Sequence, residues 1–218
     1  FEKVKTTEKN APKALFPTYI PGDDKVTPAF LHEFPFSDST IIFPKGEEKL
    51  QIEPECAVIF DAVWENGLIK KLNSVAFGAS NDCSIRREGA KKISIKKNWG
   101  KSTKGFSEKK ILLDSFNETS LISRYRIASF LMRDEKIWAY GEDSAIRDYS
   151  YIWEKLCTWL IDRLNNQKDE GPAENIHSYL IAAGRPEKIM VSIGATRYTQ
   201  WGEKNFLQNN DKALVVVY

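Results

Sequence analysis

The sequence predicts an α+β protein that is mostly β, with one long and one short helix. Three observations carry that expectation. Short apolar runs of β type recur from residue 40 to residue 218. Asn66-Gly67, the dipeptide best suited to a type I′ turn, separates two long extended stretches. Residues 150–164 alone repeat their apolar side chains clearly near the 3.6-residue period, through Ile152, Leu156, Trp159, Leu160 and Leu164. The 218 residues, 42% hydrophobic and 28% charged, are enough for one domain with a sizeable core.

Each element follows from local chemistry. Residues 1–39 are polar and punctuated by Pro12, Pro17, Pro21 and Pro28, with Gly22-Asp23-Asp24 as a turn signal. They read as an N-terminal arm laid against a domain spanning residues 40–218. Residues 40–43 make a short β run ended by Pro44-Lys45-Gly46. Residues 50–64 are extended, with Cys56-Ala57-Val58-Ile59-Phe60 as their buried centre, and residues 68–82 return beside them. Residues 91–110 hold eight lysines and little periodicity, so they read as mostly loop. Residues 124–132 and 137–140 form a strand pair that turns at 133–136. Asp148 or Ser150 is the expected N-cap of the 150–164 helix. A polar loop follows at 165–172, then a short helix at 176–183 stopped by Gly184 and Pro186. Residues 188–194 and 213–218 are strands. No segment repeats.

Composition removes several function classes. The net charge of +2, from 32 basic and 30 acidic residues, argues against a chain built around nucleic acid or an acidic membrane. No apolar run approaches the ~20 residues that span a bilayer, and no signal-peptide pattern opens the chain at Phe1. The three cysteines, Cys56, Cys83 and Cys157, form no C-x-x-C pair, which excludes a zinc knuckle and fits a reduced, cytoplasmic setting.

The chemistry is concentrated in Glu53-Pro54-Glu55, then Asn81-Asp82-Cys83-Ser84-Ile85-Arg86, then Gly100-Lys101-Ser102. Two carboxylates one residue apart on an extended stretch project to the same face. Asp82, 27 residues after Glu55, can close a three-oxygen cluster of the kind that hard divalent cations prefer. Arg86 and Lys101 can supply positive charge beside it. A metal with Lys and Arg suits a substrate with adjacent carboxylate and carbonyl oxygens, the lysine serving as acid, base or oxyanion partner. Each piece also has a plain reading: a Glu-x-Glu pair on a solvated strand face, Asp82 as a turn residue, Lys101 as one charge of a solvated basic loop. Cys56 and Cys83 each follow a proposed ligand and should face the core.

These motifs, in this order and spacing, resemble the fumarylacetoacetate hydrolase superfamily. The segments Ile52 to Ile59, Phe77 to Arg86 and Trp99-Gly100-Lys101-Ser102 carry the resemblance, and Ser192-Ile193-Gly194-Ala195-Thr196 is similar to its closing Thr-Gly-Thr-Pro segment. The resemblance implies a twisted, rolled β-sheet fold. It implies Mg²⁺, Mn²⁺ or Ca²⁺ held by Glu53, Glu55 and Asp82, with Lys101 as the catalytic lysine, and Arg86 and Thr196 on the substrate. It implies cleavage or decarboxylation of a small 2-oxo acid or 1,3-dioxo acid, and a homodimer. The family's water-activating His and Glu, spaced on an N-terminal lid, have no clean match: His32 and Glu33 are adjacent. Because the chain begins at Phe1 rather than Met, that lid is expected upstream. Two other readings compete. One is a catalytically degenerate small-molecule binder of the same fold. The other is a nucleic-acid-binding β module that uses the lysines of 91–110 with Trp99 and Phe106.

Overall fold

The computed structural model of the protein describes residues 11–218; the first ten residues of the expected arm lie outside them. Eleven strands occur in the described residues: β1 (Phe36–Ser37), β2 (Leu50–Gln51), β3 (Pro54–Glu65), β4 (Leu68–Asn81), β5 (Ser84–Ile85), β6 (Lys104–Phe106), β7 (Ile111–Leu112), β8 (Arg126–Arg133), β9 (Lys136–Ala145), β10 (Lys188–Ala195) and β11 (Lys212–Val217). Three helices join them: α1 (Trp153–Asn166), α2 (Ile176–Ala182) and α3 (Gln200–Lys204). The mostly β, α+β expectation holds.

The main sheet runs β1-β6-β4-β3-β10, with β7 also on β4; a second sheet runs β11-β8-β9, and β2 pairs β5. The β3–β4 hairpin is its spine, with Glu65 opposite Leu68. Asn66 and Gly67 both take positive φ, 51° and 77°, as a type I′ turn requires. The β8–β9 turn does the same with Asp134 and Glu135. Helix α1 buries Leu156, Leu160 and Leu164, one face at four-residue spacing, in the same core cluster as Val58, Phe60 and Phe77 of the hairpin. The Asn165 side chain pairs with both the N–H and the C=O of Ile69, at 2.9 and 2.8 Å, tying the end of α1 to β4. A smaller core gathers Leu50, Ile52, Cys83, Ile85, Leu131, Tyr140 and Leu207. Both Cys56 and Cys83 are buried, facing the core as expected. No helix among the described residues is long and apolar enough to cross a membrane.

Several local features differ from the expectations above, β6 within the 91–110 segment among them. Residues 40–43 form no strand: Ile42 gives one backbone hydrogen bond, to Ser102, and stays exposed, while Phe36–Ser37 pairs with β6 instead. Helix α1 begins at Trp153 with the extended Ile152 at its N-cap, not Asp148 or Ser150. Strand β9 runs through Gly141 to Ala145 because pairing with β8 continues there. A Cβ at Gly141 would lie 2.5 Å from Thr196 Oγ1, so glycine marks a close approach rather than a strand end. Helix α3, too short for a period to be read, is capped by Thr199 Oγ1, which accepts the Gly202 N–H at 3.0 Å.

Gly202 packs directly on β9: an added Cβ would stand 2.1 Å from the Tyr140 carbonyl oxygen. Backbone cannot yield as a flexible side chain can. Gly202→Ala is therefore expected to lower stability by about 1–3 kcal/mol or more, read by chemical denaturation; an unchanged midpoint would contradict this packing.

Candidate metal centre

Four backbone features bring the charged side chains together. The Asn81 side chain accepts the Glu53 N–H at 3.1 Å, and the Asp82 N–H donates to the Glu53 carbonyl at 2.9 Å. The end of β4 thus clamps the start of β3, and Glu53, Glu55 and Asp82 converge. One carboxylate oxygen from each lies within 4.8 Å of the others. A bulge in β10 between Ser192 and Ala195 presents the Gly194 N–H to Glu55 Oε2 at 3.3 Å. In β6, Gly105 pairs with Asn81 so closely that a Cβ would sit 3.0 Å from the Asn81 Cβ, and this proximity carries Lys104 to the carboxylates. A 3₁₀ turn over Ser94–Lys96 places Lys97 there as well. The next residue, Asn98, donates to the carbonyls of Thr18 and Glu33, both at 2.9 Å, and so holds the described part of the arm over this loop.

The acids are enclosed by cations. Lys97 Nζ bridges Glu53 Oε2, at 2.5 Å, and Asp82 Oδ2. Lys104 Nζ lies 3.3 Å from Asp82 Oδ1 and donates to the Cys83 carbonyl. Arg86 meets Glu53 Oε1 at 2.5 Å, Gln51 Oε1 at 2.6 Å and the Tyr198 hydroxyl at 2.8 Å; that hydroxyl donates onward to the Ile52 carbonyl at 2.9 Å.

Burial decides the electrostatics. Glu55 is only 7% exposed. Burial first, then the neighbouring Asp82 charge, push its carboxyl up to about 8 against the pull of Lys97, with a lesser push from Glu53. Burial also works against ionised Asp82, but Lys97 and Lys104 outweigh it and hold that carboxyl below the ordinary range. For Lys97 burial favours the neutral amine, yet Asp82, Glu53 and Glu55 hold it above its ordinary value. Lys104, 1% exposed, is held below its ordinary value by burial and by repulsion from Lys97. Lys97, Lys104 and Arg86 thus stand against Glu53 and Asp82, while burial and its acidic neighbours favour the neutral form of Glu55.

Glu53, Glu55, Asp82, Arg86, Lys97 and Lys104 all border one cavity of about 1020 Å³. The donor set fits a divalent ion. Oxygens within 4.8 Å of one another need to close only slightly to share a centre with bonds of ~2.3–2.6 Å, as for Ca²⁺, and further for the ~2.0–2.1 Å bonds of Mg²⁺. Lys97 must then leave the two oxygens it bridges.

Among the residues expected at the site, Glu53, Glu55, Asp82 and Arg86 come together. Lys101 does not: its side chain is 80% exposed, 3.8 Å from Glu33, on the outer side of the turn that precedes β6. Lys104, three residues later and inside the strand, takes the inward position. Thr196 is buried beside Pro54, to whose carbonyl its N–H donates at 3.3 Å, and borders Gly141 rather than the cavity. Its Oγ1 has no hydrogen-bond partner among the described residues. His32 is spent on its own loop, with its ring nitrogens on the Ile20 and Asp24 carbonyls at 3.0 and 3.2 Å. His177 contacts the Gly67 carbonyl at 2.9 Å. Sequence reasoning missed Lys97, Lys104 and Tyr198. Lys104 had a faint signal in Lys104-Gly105-Phe106, where glycine permits close strand approach; Lys97 had none among eight lysines.

A family model covers residues 1–218 and carries the description "Family of unknown function (DUF5718)". The chain belongs to this family. No curated protein matches it. Among solved structures, Cg1458 with inhibitor aligns with a TM-score of 0.56 at 13% identity, over 84% of this chain and 58% of that one. A 2-keto-3-deoxyarabinonate dehydratase aligns at 0.55 and 16% identity, over 84% of this chain and 52% of that one. The DUF5718 chain therefore spans little more than half the length of these neighbours, and it shares their fold, that of the fumarylacetoacetate hydrolase superfamily.

Lys97 is the pivot of the charge balance. Lys97→Met leaves Glu53 and Asp82 facing each other without the ammonium between them. Breaking a buried pair in this way is expected to cost about 3–5 kcal/mol of stability, measured by denaturant titration in EDTA; a variant as stable as the parent would contradict the bridging role.

Proposed function

We propose that this DUF5718 protein is a divalent-ion-assisted enzyme that cleaves or decarboxylates a small 2-oxo acid. The observation that carries the reading is the convergence of Glu53, Glu55 and Asp82 within 4.8 Å, ringed by Arg86, Lys97 and Lys104, at the wall of a cavity. Three carboxylates hold the ion, which is Mg²⁺, Mn²⁺ or Ca²⁺. When bound, it supplies Lewis-acid polarisation of a carbonyl oxygen.

The remaining work falls to the chain's own side chains. With its two carboxylate partners taken up, Lys97 is free to pair with the substrate carboxylate. Arg86, fixed on three sides by Glu53, Gln51 and Tyr198, orients that carboxylate from the opposite side. Lys104, fixed on Asp82 and the Cys83 carbonyl, faces negative charge as it grows on the substrate oxygen. Decarboxylation fits this set better than hydrolysis. It asks the protein to stabilise charge and return one proton to carbon. Hydrolysis asks for a base beside a water, and both histidines are engaged by loop carbonyls elsewhere. Those histidines also give substance to the second reading, a binder that holds an oxo acid without turning it over.

Isothermal titration with Mn²⁺, followed by assay of oxaloacetate decarboxylation, tests the proposal. The wild-type chain is expected to bind one ion. Asp82→Asn should lose that binding and retain its circular dichroism, with activity down at least a hundredfold. Equal ion affinity in wild type and Asp82→Asn would refute the ligand set; ion binding without turnover of any 2-oxo acid would favour the binder.

A further inference from the structure

The cavity is far larger than its charged corner requires. About 1020 Å³ lies at the upper end of the ~300–1,000 Å³ typical of pockets that hold drug-sized ligands, well beyond what a three- or four-carbon acid fills. Six of its charged lining residues, Glu53, Glu55, Asp82, Arg86, Lys97 and Lys104, form the single cluster described above. Next to them stands an aromatic wall. Phe106 sits two residues after Lys104 on β6, so both side chains leave the strand on the same side. Phe36, opposite Lys104 in the parallel β1–β6 pair, meets Phe106 edge to face at 6.4 Å between ring centres. Phe34 meets Phe36 at 5.6 Å, and Tyr19 of the arm meets Phe34 at 5.2 Å, both edge to face. All four rings border the same cavity as Glu53, Asp82, Lys97 and Lys104.

The wall has local sequence causes. Gly78 of β4 offers no side chain beneath Phe106; a Cβ there would stand 3.3 Å from the Phe106 ring and 2.5 Å from Ser107 Oγ. The arm that carries Tyr19 and Phe34 is anchored next to Lys97 by Asn98, through the Thr18 and Glu33 carbonyls. The same residues therefore fix the distance between the charged end and the rings. Phe34 is 57% exposed. An aromatic ring left half in water at the edge of a cavity, in line with three others, offers a face to an apolar ligand group.

We propose that the natural ligand is an amphipathic oxo acid: a carboxylate and carbonyl head at the Arg86, Lys97 and Lys104 end, and an aryl or similarly bulky apolar substituent against Phe34, Phe36 and Phe106. This inference rests on the oxo-acid reading above and deepens it by adding an apolar substituent to the acid's head group. Arg86, Lys97 and Lys104 attract the head, and the rings strip water from the tail. Burying one phenyl group against such a wall is expected to tighten binding roughly 10- to 100-fold.

The test is calorimetric, on the full chain with Mn²⁺, with pyruvate and phenylpyruvate as probes. Phenylpyruvate should bind at least tenfold more tightly than pyruvate. Phe106→Ala and Phe36→Ala should each narrow that gap while leaving pyruvate affinity unchanged. Should either variant misfold, Phe34→Ala, at the exposed end of the wall, should narrow the gap in the same direction. Equal affinities in the wild type, or a gap that all folded variants retain, would overturn the inference while leaving the head-group reading standing. No binding of either acid would overturn both.

Discussion

Glu53, Glu55 and Asp82 can share one buried corner only because Lys97, Lys104 and Arg86 stand against them. Three carboxylates within 4.8 Å, without those cations, would repel one another in a medium that screens poorly. The compensation is uneven. Asp82 has two lysines and ionises readily, Glu53 has a lysine and an arginine, and Glu55 has one amide and is pushed up to about 8. On the function proposed above, the cations of this corner draw in an acid, and its carboxylates accept a doubly charged ion once Lys97 steps aside.

Much of the fold's local detail exists to hold that balance. The β3–β4 hairpin brings residues 27 apart side by side, and Asn81 locks their ends through the Glu53 amide. The β10 bulge gives Glu55 its single amide. Gly105 lets β6 approach Asn81, and Asn98 seats the arm over the lysine-bearing loop. The helices sit behind this arrangement: α1 packs Leu156, Leu160 and Leu164 against the sheet and keeps the hairpin stiff. Long backbone ladders and a packed core thus support a site whose own charges contribute little net stability.

What the sequence made legible had a local cause. Asn66-Gly67 announced the hairpin because only a few dipeptides accept two positive φ values in a row, and α1 announced itself by period. Glu53, Glu55 and Asp82 were legible as a pattern because a strand's two-residue alternation and the hairpin's register place all three together. The lysines were not. Lys101 looked right by spacing, yet a strand that starts three residues later turns Lys104 inward and leaves Lys101 in water. Lys97 reaches the acids through a 3₁₀ turn whose direction is set by Asn98 and the arm, contacts 65 and 80 residues distant in sequence. The 40–43 segment failed for the complementary reason: its β propensity was real, but no partner strand was available beyond one bond to Ser102.

The most direct measurement is a crystal structure of the chain soaked with Mg²⁺ and oxalate, a mimic of the enolate of pyruvate. The account predicts an ion ~2.0–2.1 Å from one oxygen each of Glu53, Glu55 and Asp82, with Lys97 moved off Glu53 and Asp82 and onto the oxalate. An ion bound elsewhere, or a trio still bridged by Lys97 at saturating Mg²⁺, would contradict it.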